Sequence, residues 1–328
     1  MLMSKRDVQL VQKVGIDISA EKFDAEVQGA KGTHKAVFQM TPAGMKKFQN
    51  WLIRHQCHAP ELWMESTGRY FEDLADWACE QGWTVYAINP RCIRDFAKSR
   101  MQISKSDPLD ASIIRRFAES CSENDYRKWV PLTANKRELR DLQLTIKGFK
   151  KEIVRCHNRL KSGLKSALAI ARLKKTIKSL ALEIKDLHKH SIKLISEDSE
   201  LSKQFNALIQ IKGFGEVTVC FLLAKVDFFK FQKGRQLVKY AGLDVALWRS
   251  GKSIRGKDRI SRVGHGDLRS AMYMPAMVAI KHDPLIGKIA NAMKERNVCK
   301  KVVICSVMAR LLRVAFAVVR DCHLANAA

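Results

Sequence analysis

Apolar positions along this chain change their spacing near Thr133, and the change separates two regions. In the first, short apolar runs alternate with amphipathic stretches. Residues 11–19 read as a buried strand with Asp17 near its end, and residues 23–27 and 34–40 as two further strands set off by Gly29 and Gly32. Thr41-Pro42 opens a helix whose apolar positions are Met45, Phe48, Trp51 and Leu52. Residues 61–65 form a fourth strand, carrying Glu65 into the turn Ser66-Thr67-Gly68; a helix over 70–80 and a strand over 83–88 follow, stopped by Asn89-Pro90. A helix over 91–98 comes next. Then Lys105-Ser106-Asp107-Pro108-Leu109-Asp110-Ala111 heads a helix with Ile113, Ile114, Phe117 and Ala118 on its apolar face.

From Thr133 the period becomes helical throughout. Leu139, Leu142, Ile146, Phe149, Ile153, Cys156 and Leu160 form one narrow seam, the register breaks at Gly163, and Leu173, Ile177, Leu180, Ile184 and Leu187 form another. A hairpin within the chain and a coiled coil between chains both fit; so narrow a stripe favours an assembly role. Past residue 200, Leu208-Ile209-Gln210-Ile211-Lys212-Gly213-Phe214-Gly215 precedes an apolar helix over 217–223 and reads as a helix-hairpin-helix-like element. Its Gly213 and Gly215 would let backbone N–H groups approach a phosphate beside Lys212. A Gly-rich basic loop with Arg249, Lys252, Arg255, Lys257, Arg259, Arg262 and Arg269 leads to a helix over 268–280 and an amphipathic helix over 302–319. The expected architecture is therefore α/β followed by α, divided at 9–130, 131–200 and 201–328.

Charge changes this picture more than composition does. The chain has 328 residues and a net charge of +26; Lys and Arg exceed Asp and Glu by 2 over residues 1–130, by 9 over 131–200 and by 15 over 201–328. A polyanion is the natural partner of the last two regions. No apolar run approaches a span of roughly 18–20 residues, and Met1-Leu2-Met3-Ser4-Lys5-Arg6 leads into no signal-peptide core, so the expectation is a cytoplasmic protein with no membrane partner. Nine cysteines stand singly, without zinc spacing, and read as reduced thiols.

Asp107 and Asp110 share one helix face, their Cβ atoms roughly 5–6 Å apart. An Asp N-cap, Pro at N1 and Asp at N3 also begin an ordinary helix. Asp17 and Glu65, at two strand ends, raise a different possibility. The order β-β-β-α-β-α-β-α-α, with acids ending the first and fourth strands and heading the last helix, resembles the ribonuclease-H-like nuclease fold, where strand-end acids converge on one sheet edge. Four such carboxylates repel unless cations neutralise them, and two oxygen-bound divalent ions about 4 Å apart would do so. Three function classes fit: a recombinase, a RuvC-like metal-dependent nuclease or junction resolvase, and a non-catalytic nucleic-acid-binding protein.

The segments Val14-Gly15-Ile16-Asp17-Ile18-Ser19, Met64-Glu65-Ser66-Thr67-Gly68-Arg69-Tyr70, Asn89-Pro90, Lys105-Ser106-Asp107-Pro108-Leu109-Asp110-Ala111, Ile211-Lys212-Gly213-Phe214-Gly215 and Ser250-Gly251-Lys252-Ser253-Ile254-Arg255-Gly256 occur in the order of one family. Over nearly its whole length the chain resembles the DEDD insertion-sequence transposases numbered one hundred and ten, with their eleven-eleven subgroup, which are similar to Piv-type DNA invertases. The resemblance implies a RuvC-like domain with Asp17, Glu65, Asp107 and Asp110 holding Mg²⁺ (Mn²⁺ as the alternative), a coiled coil, and a C-terminal domain with a serine nucleophile. It implies donor and target DNA, an element-encoded guide RNA, and a homo-oligomer, a dimer or a tetramer in synapsis. Where the family often has proline, this chain has Asp244-Val245.

The family's Ser-Gly motif points to Ser250 as nucleophile, with Ser253 in the same loop as the other candidate. A serine hydroxyl needs activation by a base, a metal or a positive field. Arg249, Lys252, Arg255 and Lys257 surround this one, and the nearest histidine is His265.

Overall fold

The computed structural model describes residues 12–29, 32–66, 68–100, 111–122, 125–246 and 259–323, with 249–250, 254–255 and 324 described in backbone only. Two compact units divide the chain, Met1–Pro131 and Leu132–Ala328.

In the first unit, β1 (Gln12–Ile18), β2 (Lys22–Gly29) and β3 (Gly32–Gln39) form an antiparallel meander, and β4 (Pro60–Glu65) and β5 (Thr84–Ile88) add parallel to β1, giving the order β3-β2-β1-β4-β5. α1 (Pro42–Arg54) starts where Thr41 Oγ1 accepts the Gly44 N–H at 3.1 Å, with Pro42 at its first turn. α2 (Tyr70–Glu80), α3 (Pro90–Ser99) and α4 (Ala111–Glu119) complete the unit. Asn89 caps α3 through Arg91 N–H at 2.9 Å.

Strand alternation sorts the helices onto two faces. Val14, Ile16, Leu62 and Met64 pack with Met45, Phe48 and Leu52 of α1 and Phe71 and Leu74 of α2. Trp63, Tyr86 and Ile88, one residue out of phase, pack with Ile93 of α3 and with Ile114, Phe117 and Ala118 of α4. α4 touches β1 at Gly15, where a Cβ would lie 2.2 Å from the Ala111 carbonyl oxygen and 2.4 Å from the Arg115 nitrogen. Any side chain there would lift the helix off the sheet.

The second unit is helical. α5 (Ala134–Lys161) and α6 (Ala167–Glu197) form a hairpin, followed by α7 (Ser199–Ile209), α8 (Glu216–Lys225), a 3₁₀ turn (Phe228–Lys230) and α9 (Gly234–Ala241). Four two-residue strands come next: β6 (Val245–Ala246) pairs β9 (Arg259–Ile260), and β7 (Arg249–Ser250) pairs β8 (Ile254–Arg255). α10 (Gly266–His282), α11 (Pro284–Glu295) and α12 (Lys300–Leu324) end the described chain.

Leu139 of α5 and Ile195 of α6 belong to the same core as Leu208, Leu222, Leu237, Met272 and Leu312, so residues 132–197 fold with the C-terminal helices in one unit. The two seams face each other in a hairpin within the chain. Leu139, Ile146 and Cys156 are buried, whereas Leu173, Ile177, Leu180, Ile184 and Leu187 stay half-buried because two helices alone supply no third layer.

One expectation is corrected: α12 contains an 18-residue window of mean hydropathy 2.2, long and apolar enough to cross a membrane by length and composition. Val303, Val307, Leu311, Leu312, Ala315 and Val319 of this helix are buried in the protein core. The predicted amphipathic stripe is thus wider than read, because α12 has neighbours on several sides: α7, α9, α10 and α11 all touch it.

All nine cysteines are free thiols. Burial pushes Cys57 and Cys220 up to about 12, and raises Cys79, Cys121 and Cys305. Ellman's reagent is therefore expected to label exposed Cys299 first and to reach Cys57 and Cys220 only after denaturation; rapid labelling of either in the native protein would contradict this packing.

Candidate active site

Ile16 lies opposite Met64 in the parallel β1–β4 ladder, so the next residues, Asp17 and Glu65, end adjacent strands and share a face, about 4.8 Å apart in strand spacing. That face is the one bearing Gly15 and Trp63, beneath α3 and α4. Glu65 is only 8% exposed and Asp17 is half-buried. Two carboxylates so placed repel each other and favour a cation between them. Asp107 and Asp110 lie outside the described residues, but α4 begins at Ala111, one residue after Asp110.

α4 runs over β1 in the reverse direction. Lys13 Nζ donates to the Ala118 and Cys121 carbonyls at 2.7 and 2.9 Å, holding the C-terminal end, while Gly15 lies under residues 111–115. Residues 13, 15 and 17 point the same way, so Asp17 lies toward the start of α4. The sheet thus brings together two of the predicted acids and directs the helix that follows the other two to the same edge. Among the described residues no group of three His, Cys, Asp or Glu side chains comes together. The two acids that are described are hard oxygen donors and suit Mg²⁺ or Mn²⁺.

In the second unit the basic loop rises from a pinned base. Ser261 N–H donates to the Asp244 carbonyl at 2.8 Å, the Ser261 hydroxyl bonds the Asp244 carboxylate, and Arg262 N–H donates to the Gly242 carbonyl at 3.2 Å. Asp244 therefore closes the base of the loop. Arg249, Ser250 and Arg255 lie on the β7–β8 hairpin, with Ser250 opposite Ile254; Lys252, Ser253 and Lys257 lie outside the described residues. Arg259 and Arg262 are exposed. Arg269 is half-buried and donates to the Ala241 carbonyl at 2.8 Å, which makes it a brace for the end of α9.

Lys212 is exposed, and Gly215 caps α8 with open space around it. Gly213 has a packing role beside the one its motif suggests. At φ +98° it presses on α10, where a Cβ would lie 2.5 Å from the Pro275 carbonyl oxygen.

Behind the loop base, the His265 ring packs at a tilt against Tyr240, with ring centroids 4.2 Å apart. Burial, helped by Lys225, holds His265 below the usual histidine range, and burial beside Asp267 pushes Tyr240 up to about 12. Asp267 pairs with Lys225 at 3.4 Å and Lys147 at 3.5 Å; burial opposes its ionisation, but these lysines outweigh it and hold the carboxyl below its ordinary value. Lys147 also lines a groove of about 820 Å³ between α5, α8 and α10, floored by Ile146, Val217 and Phe221 and edged by Lys150, Lys151 and Arg155. The sequence reading passed over this edge. Its signal was present: 147, 151 and 155 recur at four-residue steps on one helix face.

A family model described as "Transposase", of the DEDD type, matches residues 14–169, and one described as "Transposase IS116/IS110/IS902 family" matches residues 206–290. The chain is thus an enzyme of DNA rearrangement, a transposase or recombinase. It is similar to the "Pilin gene-inverting protein" of Moraxella bovis and to that of Moraxella lacunata, each 29% identical over 312 residues that cover 94% of this chain and 95% of the relative. The chain belongs to the IS110-type transposases.

Proposed function

We propose that the chain cuts and rejoins DNA strands at the direction of a guide RNA, using a RuvC-like acid cluster of Asp17, Glu65, Asp107 and Asp110 and the hydroxyl of Ser250. The observation that carries this reading is the shared face of Asp17 and Glu65 at the ends of β1 and β4, beneath α4. The four acids would hold divalent cations, Mg²⁺ or Mn²⁺, which when bound stabilise charge building on a phosphate and help deprotonate an attacking hydroxyl. Arg249, Lys252, Arg255 and Lys257 would hold the scissile phosphate, and Arg259, Arg262 and Lys212 the neighbouring backbone. The charge excess of the last two regions supports an RNA partner that reads sequence by pairing while the protein grips phosphates. A protein that acts on DNA in this way would work in the cytoplasm.

The test is recombination of donor and target plasmids by the purified protein with its co-purifying RNA. Activity should vanish in excess chelator and after ribonuclease, and return on adding Mg²⁺ or transcribed RNA. Activity in chelator would overturn the acid-cluster reading, and activity after ribonuclease the guide.

Self-association fits the hairpin. Leu168 and Leu182 of α6 are 69% and 56% exposed and lie two heptads apart on one face. Joint substitution of both by Lys should lower the solution mass from an oligomer to a monomer, read by light scattering; an unchanged mass would place the interface elsewhere. Ile146 is buried at the floor of the groove beside α8 and α10, so substitution there reads the fold rather than assembly.

A further inference from the structure

Glu26 of β2 stands opposite Gly15 in the β1–β2 ladder and is 1% exposed. Three donors from two directions converge on its carboxylate. Arg115 Nε of α4 lies 2.7 Å from Oε1, Lys35 Nζ of β3 lies 3.2 Å from Oε2, and the Ser112 hydroxyl of α4 bonds the same Oε2. Arg115 also pairs with Glu119 one turn on. Burial pushes the Glu26 carboxyl up, and its three partners more than offset this, so it stays ionised. Ser112 is two residues from Asp110, and Arg115 is the residue whose backbone lies over Gly15.

Buried ion-pair networks of this kind add little net stability, and apolar replacements are commonly neutral or better. What such a network does supply is registry. The contacts of Ile114, Phe117 and Ala118 with the sheet are apolar and non-directional, so they resist separation far more than sliding. A carboxylate gripping both a guanidinium and a hydroxyl one turn apart fixes the rotation and the advance of α4 along β1.

We propose that Glu26 is a positioning residue for the acid cluster: through Ser112 and Arg115 it sets where the first turn of α4 stands relative to Asp17 at the end of β1. The proposal rests on the reading of the clustered acids as metal ligands. Glu26 itself is two residues of strand away from the edge and touches no reacting group.

The experiment compares wild type with Glu26→Gln, Ser112→Ala and Asp17→Asn as full-length protein without nucleic acid. Mn²⁺ binding is followed by the EPR signal of the free ion, and exchange of the first-turn amides of α4 by deuterium uptake in metal-free protein. Glu26→Gln should weaken Mn²⁺ binding at least about fivefold and Ser112→Ala about twofold, with faster α4 exchange in both and melting temperatures near wild type. If Glu26→Gln does not fold, Ser112→Ala, which keeps the ion pair, decides by the same criterion. Wild-type Mn²⁺ affinity in the folded variants, with affinity lost in Asp17→Asn, would overturn the positioning role and leave the cluster standing. Wild-type affinity in Asp17→Asn would overturn the cluster reading, and the positioning role with it.

Discussion

Asp17→Asn is expected to reduce strand exchange to background, a loss of at least about 10³-fold, without unfolding the protein. The substitution keeps the shape of the side chain and removes one negative charge from the strand-end pair. Loss of a ligand that helps hold a cation against a transferring phosphate forfeits several kcal/mol of transition-state stabilisation, and about 4 kcal/mol corresponds to roughly a thousandfold in rate. Stability should hold or rise slightly, since a repulsion between Asp17 and Glu65 is relieved in metal-free protein. The measurement is recombinant product by quantitative amplification, beside a melting curve. Product within tenfold of wild type from a normally melting variant would show that the strand-end acids do not carry the chemistry.

The second large effect is expected at Ser250. Ser250→Ala should abolish both recombinant product and any covalent protein–DNA adduct, whereas Ser253→Ala should keep them within about tenfold. Losing a nucleophile outright costs on the order of 10⁶-fold where such a residue has been removed from an enzyme that depends on it. Trapping on a nicked target, followed by denaturing electrophoresis, separates the two serines. An adduct formed by Ser250→Ala but not by Ser253→Ala would transfer the role. Adducts from both variants would place the nucleophile on another side chain, whereas product without any adduct from wild-type protein would favour a nuclease that activates water through the acids alone.

Much of the first unit was legible because strand alternation is a strong signal. Val14, Ile16, Leu62 and Met64 mark one face, and the same parity puts Asp17 and Glu65 on the other. The relation of α4 to β1 was not legible, since Gly15, Glu26 and Arg115 are far apart in sequence and nothing local says that they meet. Gly213 carries a constraint that its motif does not announce: a Gly-x-Gly turn suits phosphate approach, and close packing on Pro275 demands glycine as well. α9 is only eight residues long and opens with Gly, so its periodicity is hard to see, whereas α11 opens at Asp283-Pro284 with the same capping signal as α1 and was legible in the sequence. Arg269 looked like one more basic side chain of the loop, and only the fold shows that its guanidinium is spent on the end of α9.

The wide apolar surface of α12 has a consequence during synthesis. Val303, Val307, Leu311, Leu312, Ala315 and Val319 close the core of the second unit, yet α12 is made after every helix it packs on. The first unit has its own sheet and core and can fold as soon as it leaves the ribosome, while α5 to α11 must wait with Leu208, Leu237 and Met272 uncovered. A chain interrupted before residue 300 would thus carry a finished acid-bearing sheet attached to an unclosed basic bundle. Such a product would expose apolar surface that the complete chain buries against α12, and is expected to aggregate or be proteolysed faster than the full-length protein.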